Sequence, residues 1–173
     1  HQRSRPVYSE QVGEYPYNTA SIVEGPKNYG GGMEYPTITV IAPTRSKETL
    51  DHVIAHELGH NWFYGIIGSN EREHPWMDEG VNSFYEQRYM RMKYGDGHML
   101  PASARNPFTY FFGLDYFPTG YEYYLLYKIT SSCGKAQPIN INAEQYTAIN
   151  YGTVVYTKTA LAIRYLEQYL GVE

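Results

Sequence analysis

The stretch DHVIAHELGHNWF (residues 51–63), followed by HPWMDEGVNSFYE (residues 74–86), decides how this 173-residue chain is read. It places His56 and His60 four residues apart with Glu57 between them, and Glu79 at 79 − 60 = 19 positions beyond His60. Residues four apart on an α-helix lie on nearly one face, so both imidazoles can point at a single ion. Zinc accepts imidazole and carboxylate ligands, and a catalytic site leaves its fourth position to water. Glu57 is rotated away from the ligand direction yet can reach that water. The segment 56–79 therefore offers a metal site, a nucleophile and a base. Two histidines and a glutamate on one apolar helix face are costly to bury without a metal or partner. For Glu79 taken alone, a solvated glutamate favoured by the dipole of a helix start is the competing account.

Outward from this stretch, the apolar spacing predicts three helices. The first starts at about Lys47, with Ser46 or Thr44 as N-cap. It repeats Leu50, Val53, Ile54, Leu58 and Trp62, and exits at Gly65 and Gly68. The second spans about Met77 to Tyr94, with Val81, Phe84, Tyr85 and Met92 near one face and Gly95 as its stop. The third runs from about Thr153 to Tyr169, draws its buried face from Leu161, Ile163, Leu166 and Leu170, and ends at Gly171. Up to about Pro43 the chain reads as β structure with turns, and TITVIAP (37–43) reads as a buried strand. GPKNYGGGM between the β segments is too rich in glycine for regular structure. Residues 97–150 are aromatic and punctuated by proline, and periodicity does not resolve them. Twenty tyrosines, many of them in PFTYFFGLDYFPTGYEYYLLYKI, fit a half-buried wall of rings with wet hydroxyls or the lining of a cleft.

The composition narrows the function classes. A net charge of −4 argues against nucleic acid or an anionic membrane as partner. No apolar run approaches the roughly 20 residues of a membrane helix. The lone Cys133 excludes an internal disulfide framework. HQRSRPVYSEQ, the first eleven residues, lacks the apolar centre of a signal peptide, and nothing in the sequence assigns a compartment. The length suits one domain with a real core, or at most two small ones.

With these residues in view, the chain resembles the catalytic core of the aminopeptidase N and leukotriene hydrolase family, gluzincins with a thermolysin-like fold. The family motif of HExxH, eighteen residues and a glutamate matches His56, Glu57, His60 and Glu79. A GxMEN-like segment appears upstream as GGMEY, Gly31 to Tyr35, and a YxKG-like segment downstream as Tyr156-Thr157-Lys158-Thr159. The three occur in the family's order and cover about Glu14 to Gly171. The chain departs from the pattern at Tyr35, where the family has asparagine, and at Thr159, where it has glycine.

The resemblance implies an α+β thermolysin-like zinc peptidase core, with a small β lobe over residues 1–45 and a helical lobe over 46–173. It implies one zinc ion on His56, His60 and Glu79, Glu57 as the base, and Tyr156 as a donor to the developing oxyanion. Glu34 would pair with the free α-ammonium group of a peptide, with Gly31, Gly32 and Met33 lining the substrate and Tyr151 as a second active-site tyrosine. A peptide with a free N-terminus is the implied partner. Family members also carry a further N-terminal β domain and a C-terminal helical domain, expected to pack on such a core. An endopeptidase or epoxide hydrolase on the same machinery, or a binding module that has lost catalysis, are the alternatives. Glu86 reads equally as an orienting partner of a ligand histidine or as a surface residue. Asp78 and His74 read as structural or exposed, His52 as a helix-surface residue, and His98 gives no signal.

Overall fold

The computed structural model describes residues 4–95, 100, 105–118 and 120–171. Contacts divide the chain into two compact units, His1–Gly68 and Ser69–Glu173.

A three-stranded mixed sheet frames the first unit, in the order β1 (Ser21–Glu24), β3 (Ile38–Ile41), β2 (Gly32–Met33). β1 runs parallel to β3 with Ser21 opposite Ile38, and β2 runs antiparallel with Gly32 opposite Ile41. The β-branched run ITVI suits the central strand. Its period-two alternation buries Thr39 and Ile41 and leaves Ile38 in solvent. Helix α2 (Lys47–Gly59) packs on β2 and β3. Ser46 caps it, its hydroxyl oxygen accepting from the Thr49 amide at 3.2 Å. Because α2 shares its core with the strands, the division falls after Gly68 and not at residue 45, where the composition changes.

The N-terminal end corrects the expectation of β structure. Ser4–Gln11 forms helix α1, which packs on α2. Tyr8 is buried and stacks on Trp62 at 5.4 Å between ring centroids, and the Trp62 indole donates to the Gly13 carbonyl at 2.8 Å. One ring face of Trp62, supplied from far along the chain, outweighs the weak local preference of SRPVYSEQ.

The second unit is helical. A wide, π-type turn, Trp76–Gly80, runs straight into α3 (Val81–Tyr94), which Gly95 ends at φ 78°. The helix anticipated from Met77 thus begins one residue earlier and with a wider first turn. The tract that periodicity left unresolved contains α4 (Pro107–Phe111), started by an Asn106–Thr109 capping box, and α5 (Tyr121–Ser132). The short α6 (Ala148–Asn150) leads into a π-helical segment, Tyr151–Lys158, and then α7 (Thr159–Leu170), which Gly171 closes in the left-handed region. α7 packs on α3 and is most deeply buried in its first turn, at Thr159, Ala160 and Leu161. Leu166, Leu170 and, on α3, Met92 are exposed, against the expectation for their helices. Their apolar spacing is real, but on α7 the side facing α3 continues through Glu167, which pairs with Arg88, and leaves both leucines in solvent. Tyr123 and Tyr127 of α5 are half-buried, as a tyrosine wall requires, whereas Tyr121 and Tyr124 line an open cavity of about 320 Å³ with Leu161 and Arg164.

Gly80 sits at the tightest point of this unit. A Cβ there would lie 2.3 Å from Thr159 Cβ and 2.6 Å from the Val155 carbonyl oxygen. Gly80→Ala is therefore expected to lower stability by about 1–3 kcal/mol through overpacking. In a Thr159→Gly background the loss should be smaller, because one of the two opposing groups is gone. Denaturant unfolding of the four proteins in this cycle measures the coupling.

Candidate active site

In the first unit, the last turn of α2 presents His56, Glu57 and His60. The helical spacing brings His56 Nε2 to 3.2 Å from His60 Nε2, with the rings edge to face at 85° and their centroids 4.8 Å apart. Two nitrogens held about 2.0–2.1 Å from one tetrahedral ion stand about 3.3–3.4 Å apart, so the pair has the spacing of two ligands on one zinc. His60 is buried, and its Nδ1 lies 3.5 Å from the Phe63 carbonyl oxygen. A proton on Nδ1 facing that carbonyl leaves the Nε2 lone pair turned toward His56.

Glu57 is buried at 5 % exposure, and the edge of the sheet covers it. A Cβ on Gly32 would lie 1.9 Å from Glu57 Oε1 and 2.6 Å from Glu57 Cγ. Only glycine lets strand β2 approach the carboxylate this closely. Gly31 precedes it at φ 79°, a conformation that favours glycine, and its carbonyl accepts from the Ala42 amide at 2.8 Å. Met33 pairs with Val40 across the sheet and is half-buried. The strand thereby delivers Glu34: one ligand-type atom each from Glu34, Glu57 and His60 lies within 4.8 Å of the others. Two carboxylates this close repel each other unless a cation or a proton lies nearby, so the pocket favours positive charge.

In the second unit, Glu79 lies in the wide turn Trp76–Gly80, half-buried beside the fully buried Asp78, both at a helix start where carboxylates are favoured. Tyr151 and Tyr156 belong to the π-helical segment, their rings edge to face at 5.8 Å. Residues five apart diverge on an α-helix, whereas i→i+5 winding brings them together. The Thr157 hydroxyl donates to the Gly152 carbonyl, five residues back, at 3.0 Å. Glu79 and Tyr156 thus both fall in π-type segments, which recur at functional sites.

Glu86 proves not to be a surface residue. It is buried on α3 and accepts from the Tyr123 hydroxyl at 3.2 Å. Burial, and then the charges of Glu86 and Glu122, hold the Tyr123 phenol well above its ordinary range. His74 is exposed, with Nδ1 2.9 Å from Asn140 Oδ1. His52 is half-buried on α2, and His98 lies outside the described residues. Sequence reasoning passed over Asn61, a buried amide directly after His60. The available signal was a polar residue set between the histidine motif and the apolar pair Trp62-Phe63.

Residues 7–173 match the sequence profile described as "Peptidase family M1 domain". Among curated proteins, the chain is 34% identical to Leucine aminopeptidase 2 of Kluyveromyces lactis over 87 residues, 48% of this chain and 13% of that protein. It is 33% identical over 90 residues to the Leukotriene A-4 hydrolase homolog of Botryotinia fuckeliana, 49% of this chain and 14% of that protein. Among solved structures, it superposes on native leukotriene A4 hydrolase of Saccharomyces cerevisiae with a TM-score of 0.65 at 22% identity, over 98% of this chain and 26% of the other. An M1 zinc metallopeptidase of Deinococcus radiodurans matches with a TM-score of 0.63 at 19% identity, over 99% of this chain and 32% of the other. The α+β fold is theirs. The chain spans between about an eighth and a third of the length of these relatives.

The raised pKa of Tyr123 carries a pH signature. Its folded-state value lies above the unfolded value of about 10, so the stabilisation is intact below that pH and is lost as pH rises through the folded value. Tyr123→Phe removes the titrating group. Its stability should fall less steeply than the parent's as pH rises above about 10 in urea unfolding.

Proposed function

The chain belongs to peptidase family M1, and on that premise we propose that it is the catalytic core of a zinc-dependent aminopeptidase that hydrolyses the N-terminal peptide bond of peptides. The observation that carries the reading is the histidine pair, with Nε2 atoms 3.2 Å apart, beside the buried Glu57 and the strand-borne Glu34. The donors fit zinc: two imidazoles at ligand spacing, with the carboxylate of Glu79 completing the set of three protein ligands to one ion. Zinc when bound lowers the pKa of a water molecule toward neutrality and polarises a carbonyl.

This chain's residues perform the rest. Glu57 accepts a proton from the attacking water and returns it to the leaving amine. Its burial beneath Gly32 shields the carboxylate from bulk water. Tyr156 donates a hydrogen bond to the oxyanion that develops on the scissile carbonyl, and Tyr151 packs beside it. Glu34 pairs with the substrate's α-ammonium group, so that the first peptide bond is the one attacked. Gly31, Gly32 and Met33 offer backbone along the substrate, with no Cβ at the two glycines to hold it off.

His60→Ala is expected to lose tight binding of the single zinc, which metal analysis after dialysis reads. Glu57→Gln and Gly32→Ala should keep zinc and lose turnover, the first because an amide takes no proton, the second because the new methyl displaces the carboxylate. Tyr156→Phe should lower turnover by about 10²-fold or more. Normal hydrolysis by any of these three variants would overturn the role assigned.

Glu34 decides between exopeptidase and endopeptidase. Glu34→Ala should impair free-amine peptides far more than their N-acetylated forms, by about 2–5 kcal/mol in kcat/KM terms for the lost charge pair. Equal losses on the two substrates would favour the endopeptidase reading instead.

A further inference from the structure

We propose that Asn61 is a positioning residue that fixes Glu34 against the catalytic helix, and so sets the preference for a free amino terminus. The inference rests on the role given to Glu34 above. Asn61 follows His60 directly and is buried. Its Nδ2 donates to the Leu58 carbonyl at 3.0 Å, which fixes the amide to the end of α2. Its Oδ1 accepts from the Thr37 amide at 3.1 Å, across 24 positions of sequence. Thr37 is the third residue of the turn Tyr35-Pro36-Thr37-Ile38, closed by the Ile38 amide donating to the Tyr35 carbonyl at 3.0 Å.

That turn has proline second and a residue at φ 64° third, the pattern of a type II turn that normally takes glycine there. A β-branched residue disfavours this conformation, so threonine holds it only where the surroundings impose it. Asn61 supplies that constraint, together with the Ser21 amide, which donates to the Thr37 carbonyl at 2.7 Å. Glu34 immediately precedes the turn and is carried by it. One amide side chain therefore links the helix that bears His56, Glu57 and His60 to the segment that bears Glu34. Without the bond, Thr37 can leave the left-handed region, the turn reopens, and Glu34 shifts while the histidine pair, two turns of helix with its own cap, stays in place.

The test measures binding, so it does not depend on turnover. Leucine hydroxamate and N-acetyl-leucine hydroxamate are titrated calorimetrically into the zinc-loaded parent, Asn61→Ala, Glu34→Ala and the double variant Asn61→Ala/Thr37→Gly, with zinc content measured for each. The parent should prefer the free amine. Asn61→Ala should lose about tenfold to a hundredfold of that preference, approaching Glu34→Ala, with zinc retained. Thr37→Gly should restore most of it in the Asn61→Ala background, because glycine holds the turn unaided. Asn61→Ser, too short to reach the Thr37 amide, reads the same quantity if Asn61→Ala does not fold. A preference kept in both Asn61 variants, an equal weakening of both ligands, or no rescue by glycine would overturn the inference and leave the reading of Glu34 standing. A parent without any preference would overturn that reading, and the inference with it.

Discussion

Two imidazole nitrogens 3.2 Å apart constrain everything around them. Their lone pairs cannot both face the same point unless a proton or a metal lies between them. The arrangement therefore has to be imposed, and α2 imposes it with the four-residue repeat of a well-formed helix. That helix is kept whole to its last turn by the Ser46 cap at one end and by burial of Ala55, Leu58 and Gly59 at the other. The sheet and α1 serve the same end, since both pack on α2, and the Trp62 ring holds Tyr8 of α1 in place.

The close approach of Gly32 gives the sheet a second duty. A strand edge placed against a buried carboxylate shields it from water on one side and brings a second carboxylate within 4.8 Å. Charge of one sign is thereby concentrated beside a buried carboxylate, where a positive partner is worth more than in solvent. The roles proposed for Glu57 as base and for Glu34 as partner of a cationic group would thus draw on the same geometry. On that proposal, chemistry and substrate register would both depend on one backbone contact.

How much was legible in the sequence can be argued residue by residue. The α2 helix, its Ser46 cap, the stops at Gly95 and Gly171 and the strand 38–41 follow from patterns that act locally. So does the pairing of His56 with His60, because helix periodicity alone produces it. Helix α1 was not legible, since its stability comes from the ring of Trp62, supplied from the far side of α2. The exposure of Met92, Leu166 and Leu170 was not legible either, because apolar spacing marks a face that can be buried and not the partner that buries it. The wide turns at Trp76–Gly80 and Tyr151–Lys158 leave no composition signature, although they carry Glu79 and both tyrosines. Asn61 escaped notice for the same kind of reason: its two bonds join segments whose approach only the folded chain reveals.

The π-helical winding at Tyr151–Lys158 works as a phase shifter between two demands on one continuous helix. Upstream it must set Tyr151 edge to face against Tyr156, and downstream it must seat Thr159 over Gly80. Removing one residue from the segment would turn everything beyond it by about 100° and shift it by about 1.5 Å, so that only one of the two contacts could survive. A change in length there is therefore not accommodated, short of a compensating change in the same segment. The spacing between Tyr151 and Thr159 is consequently as much a part of this architecture as the buried residues within it.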